Sequence, residues 1–167
     1  MNIQVFDNFL PDDEFAKLTS LVLGDYFPWY FNYSVNGPGE PHNHSAPSFQ
    51  FTHTFVRQGH IVSDFYPWLF PLLERIDVSE IYRAKVNLNT HFRTNTPYGF
   101  HKDIQGVPSA KTAIFYLLDS DGDTVFVTGE RVTPVANRLV IFNADLEHTG
   151  ETSVISERRV VFSVIYE

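Results

Sequence analysis

A series of short, strand-like segments in the second half of the chain most constrains its fold. From Ile81 onward, turn residues separate runs of β-branched and aromatic residues. These runs are Tyr82–Leu88, Phe100–Asp103, Thr112–Leu118, Thr124–Val127, Glu130–Val135, Arg138–Phe142 and Arg158–Tyr166. Short strands at this spacing favour a β-sandwich or β-barrel over alternating strands and helices.

The first half of the chain adds helical segments to this β-rich pattern. A short strand is predicted at Ile3–Phe6, and apolar residues at helical spacing predict a helix from about Asp12 to Leu23. Alternation predicts a further strand at Phe49–Val56, and Ser63–Ile76 has a helical pattern that two prolines interrupt. We expect these helices to cover one face of a sheet.

The glycine- and proline-rich segment Asp25–Ser48 is predicted to be an irregular loop, with room for one short strand. Loops of this length are often functional, for example as lids over a substrate. No repeat, low-complexity tract or linker divides the 167 residues. We therefore predict a single domain over 1–167, with its β core at about 81–167.

Composition restricts the available chemistry. The chain has no cysteine, which excludes disulfides, thiolate zinc sites, iron–sulfur clusters and cysteine nucleophiles. A metal would therefore need imidazole, carboxylate or amide ligands. The formal net charge of −8 disfavours a nucleic-acid partner. With no signal-like start and no apolar stretch of membrane-spanning length, a cytoplasmic protein without a membrane partner is expected.

The best candidate metal ligands are His101 and Asp103, followed by His148. Side chains alternate along a strand, so His101 and Asp103 would share one face, although this spacing alone is weak evidence. His148 follows an apolar strand, where a third ligand could reach the same ion. Two histidines and one carboxylate form a facial triad that leaves positions open on Fe(II). A structural zinc site would need a fourth protein ligand.

Non-haem Fe(II) oxygenases use those open positions for dioxygen and a bidentate 2-oxo acid. A 2-oxo diacid also needs a cation for its remote carboxylate, and a guanidinium matches it best. Arg158 and Arg159 begin the last strand, where alternation lets one of them point inward. We favour Arg159, because Ser163 on its face tolerates a polar cavity better than Phe162 on the other; Arg158 is the alternative.

From about Ile81 to Tyr166 the chain resembles the 2-oxoglutarate/Fe(II)-dependent dioxygenases, especially the prolyl-4-hydroxylase-like group. An ordered series carries the resemblance: His101-x-Asp103, the strand Thr112–Leu118, the turn Gly122–Phe126, the strand Asn137–Phe142, His148 and an arginine about ten residues further on. Val5–Pro11 resembles the segment before the family's supporting helix. The resemblance implies a double-stranded β-helix of the jelly-roll, cupin-like type, with N-terminal helices outside the larger sheet.

The resemblance also implies a co-substrate site. In the family, the arginine and a tyrosine of the strand after the His-x-Asp motif meet the remote carboxylate of 2-oxoglutarate, and a polar residue of the preceding strand lies nearby. The predicted co-substrate residues are Arg159, or Arg158 in its place, with Tyr116, Thr112 and Asn87, and with Asn89 as the alternative to Asn87.

The implied reaction converts 2-oxoglutarate and dioxygen to succinate while it hydroxylates an unactivated C–H bond, with ascorbate as the expected reductant. A prolyl residue of a protein or peptide is the first predicted substrate. A free amino acid or another small metabolite is the alternative. The competing hypothesis is a non-catalytic β-sandwich that binds a ligand or a partner.

Two further motifs have simpler interpretations. The histidines of Pro41-His42-Asn43-His44 lie among glycines and prolines, which indicate a solvated loop rather than a metal site. The acidic run that begins at Asp119 imitates a calcium loop, but Thr124 stands where that loop requires glycine. We therefore predict a β-turn there. No Gly-x-Ser-x-Gly motif supports a hydrolase.

Overall fold

A computed structural model of the protein describes residues 3–35 and 49–167. The elements in these ranges are β1 (Gln4–Phe6), α1 (Asp12–Val22), β2 (Tyr30–Asn32), β3 (Gln50–Arg57), β4 (His60–Ile61), a 3₁₀ helix (Tyr66–Leu69), α2 (Phe70–Arg75), β5 (Ile81–Thr90), β6 (Lys111–Tyr116), β7 (Thr124–Phe126), β8 (Arg131–Val132), β9 (Arg138–Asn143), β10 (His148–Gly150) and β11 (Arg158–Tyr166). The prediction of a mainly β fold is confirmed. In these same ranges, no helix is long and apolar enough to cross a membrane.

The strands form two antiparallel sheets. The larger sheet has the order β1-β9-β6-β11-β5-β3-β2, with β4 paired to β3, and the smaller sheet has the order β10-β7-β8. An apolar cluster joins the two sheets, because residues of β6, β9 and β11 pack against residues of β7 and β8. Its buried members are Ile114, Tyr116, Phe126, Val132, Val140, Phe142, Leu146 and Val161.

The helices cover the opposite face of the larger sheet, as the sequence predicted. Alternation along β6 and β11 turns Phe115 and Phe162 toward this face, where both are fully buried. Leu18 and Val22 of α1 and Leu72 of α2 belong to the same core. The chain thus has an apolar layer under its helices, while the other face of the sheet is free to carry polar side chains toward the smaller sheet.

Two predicted elements differ from the observed ones. The strand predicted at Phe100–Asp103 is wrong: His101 alone pairs with a neighbouring strand, and the Asp103 N–H donates to the Ala144 carbonyl instead of continuing the ladder. The helical segment predicted over Ser63–Ile76 is shorter and divided into the 3₁₀ helix and α2, each with a proline in its first turn.

The segment predicted to be an irregular loop, Asp25–Ser48, contains β2, which pairs with β3. Residues 36–48 lie outside the described part of the chain.

Asn137 connects the N-terminal segment to the start of β9. Its Oδ1 accepts a hydrogen bond from the Leu10 N–H at 2.9 Å, and its Nδ2 donates to the Leu10 carbonyl at 2.8 Å. Both bonds are buried, and the backbone of Asn137 has a φ of 63°, a left-handed conformation that asparagine tolerates better than most residues. One side chain therefore satisfies both backbone groups of Leu10.

We expect Asn137→Ala to lower the free energy of unfolding by about 1–3 kcal/mol, because buried polar groups of Leu10 would lose their partners. Urea unfolding followed by circular dichroism measures this loss. Asn8→Ala is the matched control, since Asn8 also has a positive φ, of 51°, but an exposed side chain. Equal losses in the two variants would show that backbone strain, not hydrogen bonding, accounts for the effect.

Candidate metal centre

The three predicted metal ligands meet at one end of the space between the sheets. One ligand atom each from His101, Asp103 and His148 lies within 4.8 Å of the others. His148 Nε2 is 3.5 Å from Asp103 Oδ2, and the two imidazole centroids are 4.7 Å apart. In residues 3–35 and 49–167 this is the one such cluster of at least three metal-binding side chains. His42 and His44 lie outside the described residues.

Backbone pairing positions these ligands. The N–H of each histidine donates to the carbonyl of the other, and both N···O distances are 3.0 Å. This bridge adds His101 to the edge of the smaller sheet beside β10. The loop after His101 then turns back, where the Asp103 N–H donates to the Ala144 carbonyl at 3.1 Å. The ligands are therefore fixed by main-chain contacts on both sides.

Each imidazole directs its Nδ1 toward a carbonyl oxygen. His148 Nδ1 lies 3.0 Å from the Leu146 oxygen, and His101 Nδ1 lies 3.3 Å from the Gly99 oxygen. With the proton on Nδ1, each ring donates to its carbonyl and leaves the Nε2 lone pair for a metal. Phe142 packs edge-on against the His148 ring at a centroid distance of 4.6 Å, which fixes the ring orientation further.

Two side chains hold the carboxylate of Asp103. Arg83 Nη2 donates to Oδ1 at 2.6 Å, and the Thr112 hydroxyl donates to Oδ2 at 2.8 Å. Burial raises the pKa of Asp103, but the Arg83 guanidinium, both histidines and the Thr112 hydroxyl outweigh it and lower the pKa to about 2. Asp103 is therefore ionised at neutral pH, as a metal ligand must be.

The environment of His148 favours its neutral form. Burial lowers its pKa, and this effect outweighs the opposing influence of the Asp103 carboxylate. Neutral imidazole is the form that binds a metal. Two imidazoles and one carboxylate are the donor set of the facial triad of an Fe(II) site with open positions.

A buried arginine lies across a cavity from this cluster. Arg159 is 5% exposed, its Nε donates to the Gly122 carbonyl at 2.8 Å, and its Nη2 donates to the Thr124 hydroxyl at 2.8 Å. The Tyr116 hydroxyl donates to the same Thr124 oxygen at 2.7 Å. Gly150 leaves room for the guanidinium, since a Cβ there would lie 3.4 Å from Nη1.

No carboxylate among the described residues forms an ion pair with Arg159, although a buried charge ordinarily requires a partner. The cavity beside it, with a volume of about 70 Å³, is also lined by His101, Asp103 and His148. That volume exceeds the roughly 10–15 Å³ that one water needs. The space beside Arg159 is therefore larger than one water and is shared with the three candidate metal ligands.

The other predicted co-substrate residues have different positions. Arg158 is exposed, and alternation along β11 directs it away from the cavity. Thr112 shares a face with Tyr116, but its hydroxyl already donates to Asp103. Asn87 lines the cavity, with Oδ1 buried and without a hydrogen-bond partner among the described residues. Their roles toward 2-oxoglutarate stay predictions.

Sequence reasoning missed three residues of this site: Arg83, Lys85 and Thr124. Arg83 and Lys85 lie on β5 at alternate positions with Asn87, so the period of two in this strand could have placed all of them on one face. No comparable pattern in the sequence indicates that Thr124 belongs to the site. Its contact with Arg159 follows from the packing of the smaller sheet, which the sequence pattern does not specify.

No family model and no curated protein matches the sequence. Solved structures do match it. An oxidoreductase of the 2OG-Fe(II) oxygenase family from Burkholderia pseudomallei superposes with a TM-score of 0.72 at 14% identity, over 99% of this chain and 84% of the other. A second match is a prolyl hydroxylase from Trichoplax adhaerens, in complex with a hypoxia inducible factor peptide fragment. It superposes with a TM-score of 0.69 at 13% identity, over 98% of this chain and 82% of the other.

A third similar structure is the epimerase SnoN in complex with Fe3+, alpha ketoglutarate and nogalamycin RO. It gives a TM-score of 0.62 at 16% identity, over 98% of this chain and 78% of the other. The chain therefore has the fold of the 2OG-Fe(II) oxygenases, prolyl hydroxylases included, and the predicted double-stranded β-helix is confirmed.

We expect His101→Ala, Asp103→Ala and His148→Ala each to abolish measurable binding of Mn(II), used as a redox-inert substitute for Fe(II), in calorimetric titrations. Each substitution removes one of three donors, and two donors hold a divalent ion poorly. His60→Ala is the control, because His60 is exposed on β4. Retained affinity in any of the first three variants would contradict the assignment.

We expect Thr112→Val to weaken Mn(II) binding by about 10–100-fold, because it removes a hydrogen bond that orients Asp103 without removing a ligand. Thr112→Ser keeps the hydroxyl and should retain the wild-type affinity. Equal affinities of the valine and serine variants would show that the hydroxyl plays no part in metal binding.

Proposed function

We propose that the protein is a 2-oxoglutarate- and Fe(II)-dependent dioxygenase that hydroxylates an unactivated C–H bond. The observation that carries this proposal is one cavity with a His101–Asp103–His148 cluster on one side and, on the other, the buried Arg159, which forms no ion pair with a described residue. Iron, when bound, supplies the activation of dioxygen that couples decarboxylation of 2-oxoglutarate to oxidation of the substrate.

The protein's own residues then bind and orient the co-substrate. Arg159 would hold the remote carboxylate of 2-oxoglutarate, while its bonds to Gly122 and Thr124 fix the direction of the guanidinium. Tyr116 supports this arrangement through Thr124, and its ring lies 5.7 Å from the Arg159 Cζ. Because these groups are buried, a carboxylate would meet a preorganised partner away from water, where charge pairing is strong.

The finer proposal concerns the substrate. A prolyl residue of a protein or peptide is supported by the likeness to the Trichoplax adhaerens prolyl hydroxylase, whose structure contains a peptide fragment. A free amino acid or another small metabolite is supported by the likeness to SnoN, whose structure contains a small molecule. Likeness of fold decides poorly between substrates.

We also propose that residues 1–167 form one oxygenase domain.

We expect the purified protein with Fe(II), ascorbate and oxygen to convert 2-oxoglutarate to succinate, detected by mass spectrometry. We also expect 2-oxoglutarate to raise the Tm of the Mn(II)-loaded protein, because a ligand that binds the folded state stabilises it. Succinate, which lacks the 2-oxo group, should raise the Tm of the Mn(II)-loaded protein less than 2-oxoglutarate does. If neither turnover nor stabilisation occurs, a non-catalytic β-sandwich becomes the better hypothesis.

We expect Arg159→Ala to weaken 2-oxoglutarate binding to the Mn(II)-loaded protein by about 30-fold or more, since loss of one partner of a buried charged pair costs at least about 2 kcal/mol. Arg158→Ala is the matched control and should change the affinity by less than about threefold, because Arg158 is exposed. Arg159→Lys keeps the positive charge, so its affinity for 2-oxoglutarate shows whether the loss in Arg159→Ala comes from the missing charge or from a disturbed fold. The reverse ranking of the two alanine variants would contradict the proposed anchor.

A further inference from the structure

One strand directs a row of polar side chains into the cavity. Arg83, Lys85, Asn87 and Asn89 alternate along β5, and all four line the space between Arg159 and the metal cluster. Three polar atoms of this row are buried without a hydrogen-bond partner among the described residues, namely Arg83 Nε, Asn87 Oδ1 and Asn89 Nδ2. Unpaired buried polar atoms cost about 1–3 kcal/mol each, so this row is suited to a polar ligand.

Lys85 stands in the middle of this row. In the described part of the chain its ammonium takes part in no ion pair, and Arg83 rather than Lys85 is the residue bonded to Asp103. Its directly paired neighbours are Thr54 on β3 and Ser163 on β11. Both neighbours are small and uncharged, so they neither neutralise the ammonium nor fill the space in front of it.

The charges around the cavity do not balance. With Lys85 protonated, its described lining contains three cations, Arg83, Lys85 and Arg159, and one carboxylate, Asp103, which leaves a net charge of +2. Fe(II) and the 2-oxoglutarate dianion would cancel each other and leave this excess unchanged. Burial, with the repulsion of Arg83, lowers the pKa of Lys85 to about 7 against the opposing effect of Asp103. A carboxylate bound beside Lys85 would offset the positive charge of the lining and favour the charged form of the lysine, which burial alone disfavours.

On the basis of the proposed function, we infer that the substrate carries a carboxylate, which Lys85 binds with the aid of the Arg83 guanidinium. Asn87, the next residue of this row, supplies the unpartnered acceptor Oδ1 for a donor next to that carboxylate, while Asn89 is paired with Arg159 at the co-substrate end. An internal prolyl residue of a peptide has no free carboxylate at this position. The row on β5 therefore favours a small acid, such as a free amino acid, as the substrate class.

The first experiment compares matched acids and amides with the wild-type protein. The twenty common amino acids and C4–C6 aliphatic acids, each with its carboxamide, are added to protein, Fe(II), ascorbate and 2-oxoglutarate, and succinate release above the substrate-free rate is measured. We expect at least one acid to stimulate release, with kcat/KM at least tenfold above that of its amide. The inference is overturned if no acid exceeds its amide, or if prolyl peptides stimulate release and no acid does.

The second experiment assigns the carboxylate to Lys85. For the stimulating acid, Lys85→Gln should raise KM at least tenfold, while Lys85→Arg, which keeps the cation, should restore most of the affinity. Lys17→Gln is the control, because Lys17 lies on α1 with its side chain exposed. Arg159→Ala should instead raise KM mainly for 2-oxoglutarate. If Lys85→Gln raises KM for 2-oxoglutarate more than for the acid, Lys85 is a co-substrate residue and the inference is overturned.

These outcomes separate the inference from the function on which it rests. Failure of the wild-type protein to bind 2-oxoglutarate or form succinate would overturn the proposed function. Formation of succinate together with equal use of acids and amides would leave that function in place and overturn the carboxylate inference alone.

Discussion

The site depends on one pair of main-chain hydrogen bonds, those between His101 and His148. This bridge brings the loop after β5 to the edge of the smaller sheet and sets the two imidazoles side by side. Asp103 then reaches the same point because its N–H is held by Ala144 in the turn before β10. Without the bridge, His148 would have no common position with His101 and Asp103, which lie far before it in the sequence.

The larger sheet separates the apolar core on one of its faces from the polar cavity on the other. Helices α1 and α2 cover an apolar layer on one side, while the other side carries guanidinium, ammonium and amide groups into a small cavity. A period of two over residues 83–89 of β5 and 159–163 of β11 achieves this separation within single strands. Arg159 is therefore desolvated without being placed in the apolar core, and its attraction for an anion is stronger than it would be in water.

Much of the fold and of the metal cluster could be predicted from the sequence, because long alternating strands and the His-x-Asp spacing are local signals. Arg159 was also preferred over Arg158 for a local reason, the presence of Ser163 on its face. The strand predicted around His101 was wrong, since a single bridge leaves no periodic pattern, and β10 is too short to produce one. Lys85 and Thr124 were missed because their place in the cavity depends on how strands and sheets align, which no single segment encodes.

Asp103 has both carboxylate oxygens occupied by neighbours, Arg83 on one and Thr112 on the other. Rotation of the carboxylate about its Cβ–Cγ bond would break both contacts, so the plane of the group is fixed before any ion arrives. Each oxygen keeps one lone pair for a metal, and its direction is set by a residue that need not touch the metal. The approach of an ion to Asp103 is thus restricted by Arg83 and Thr112, two residues outside the three candidate ligands.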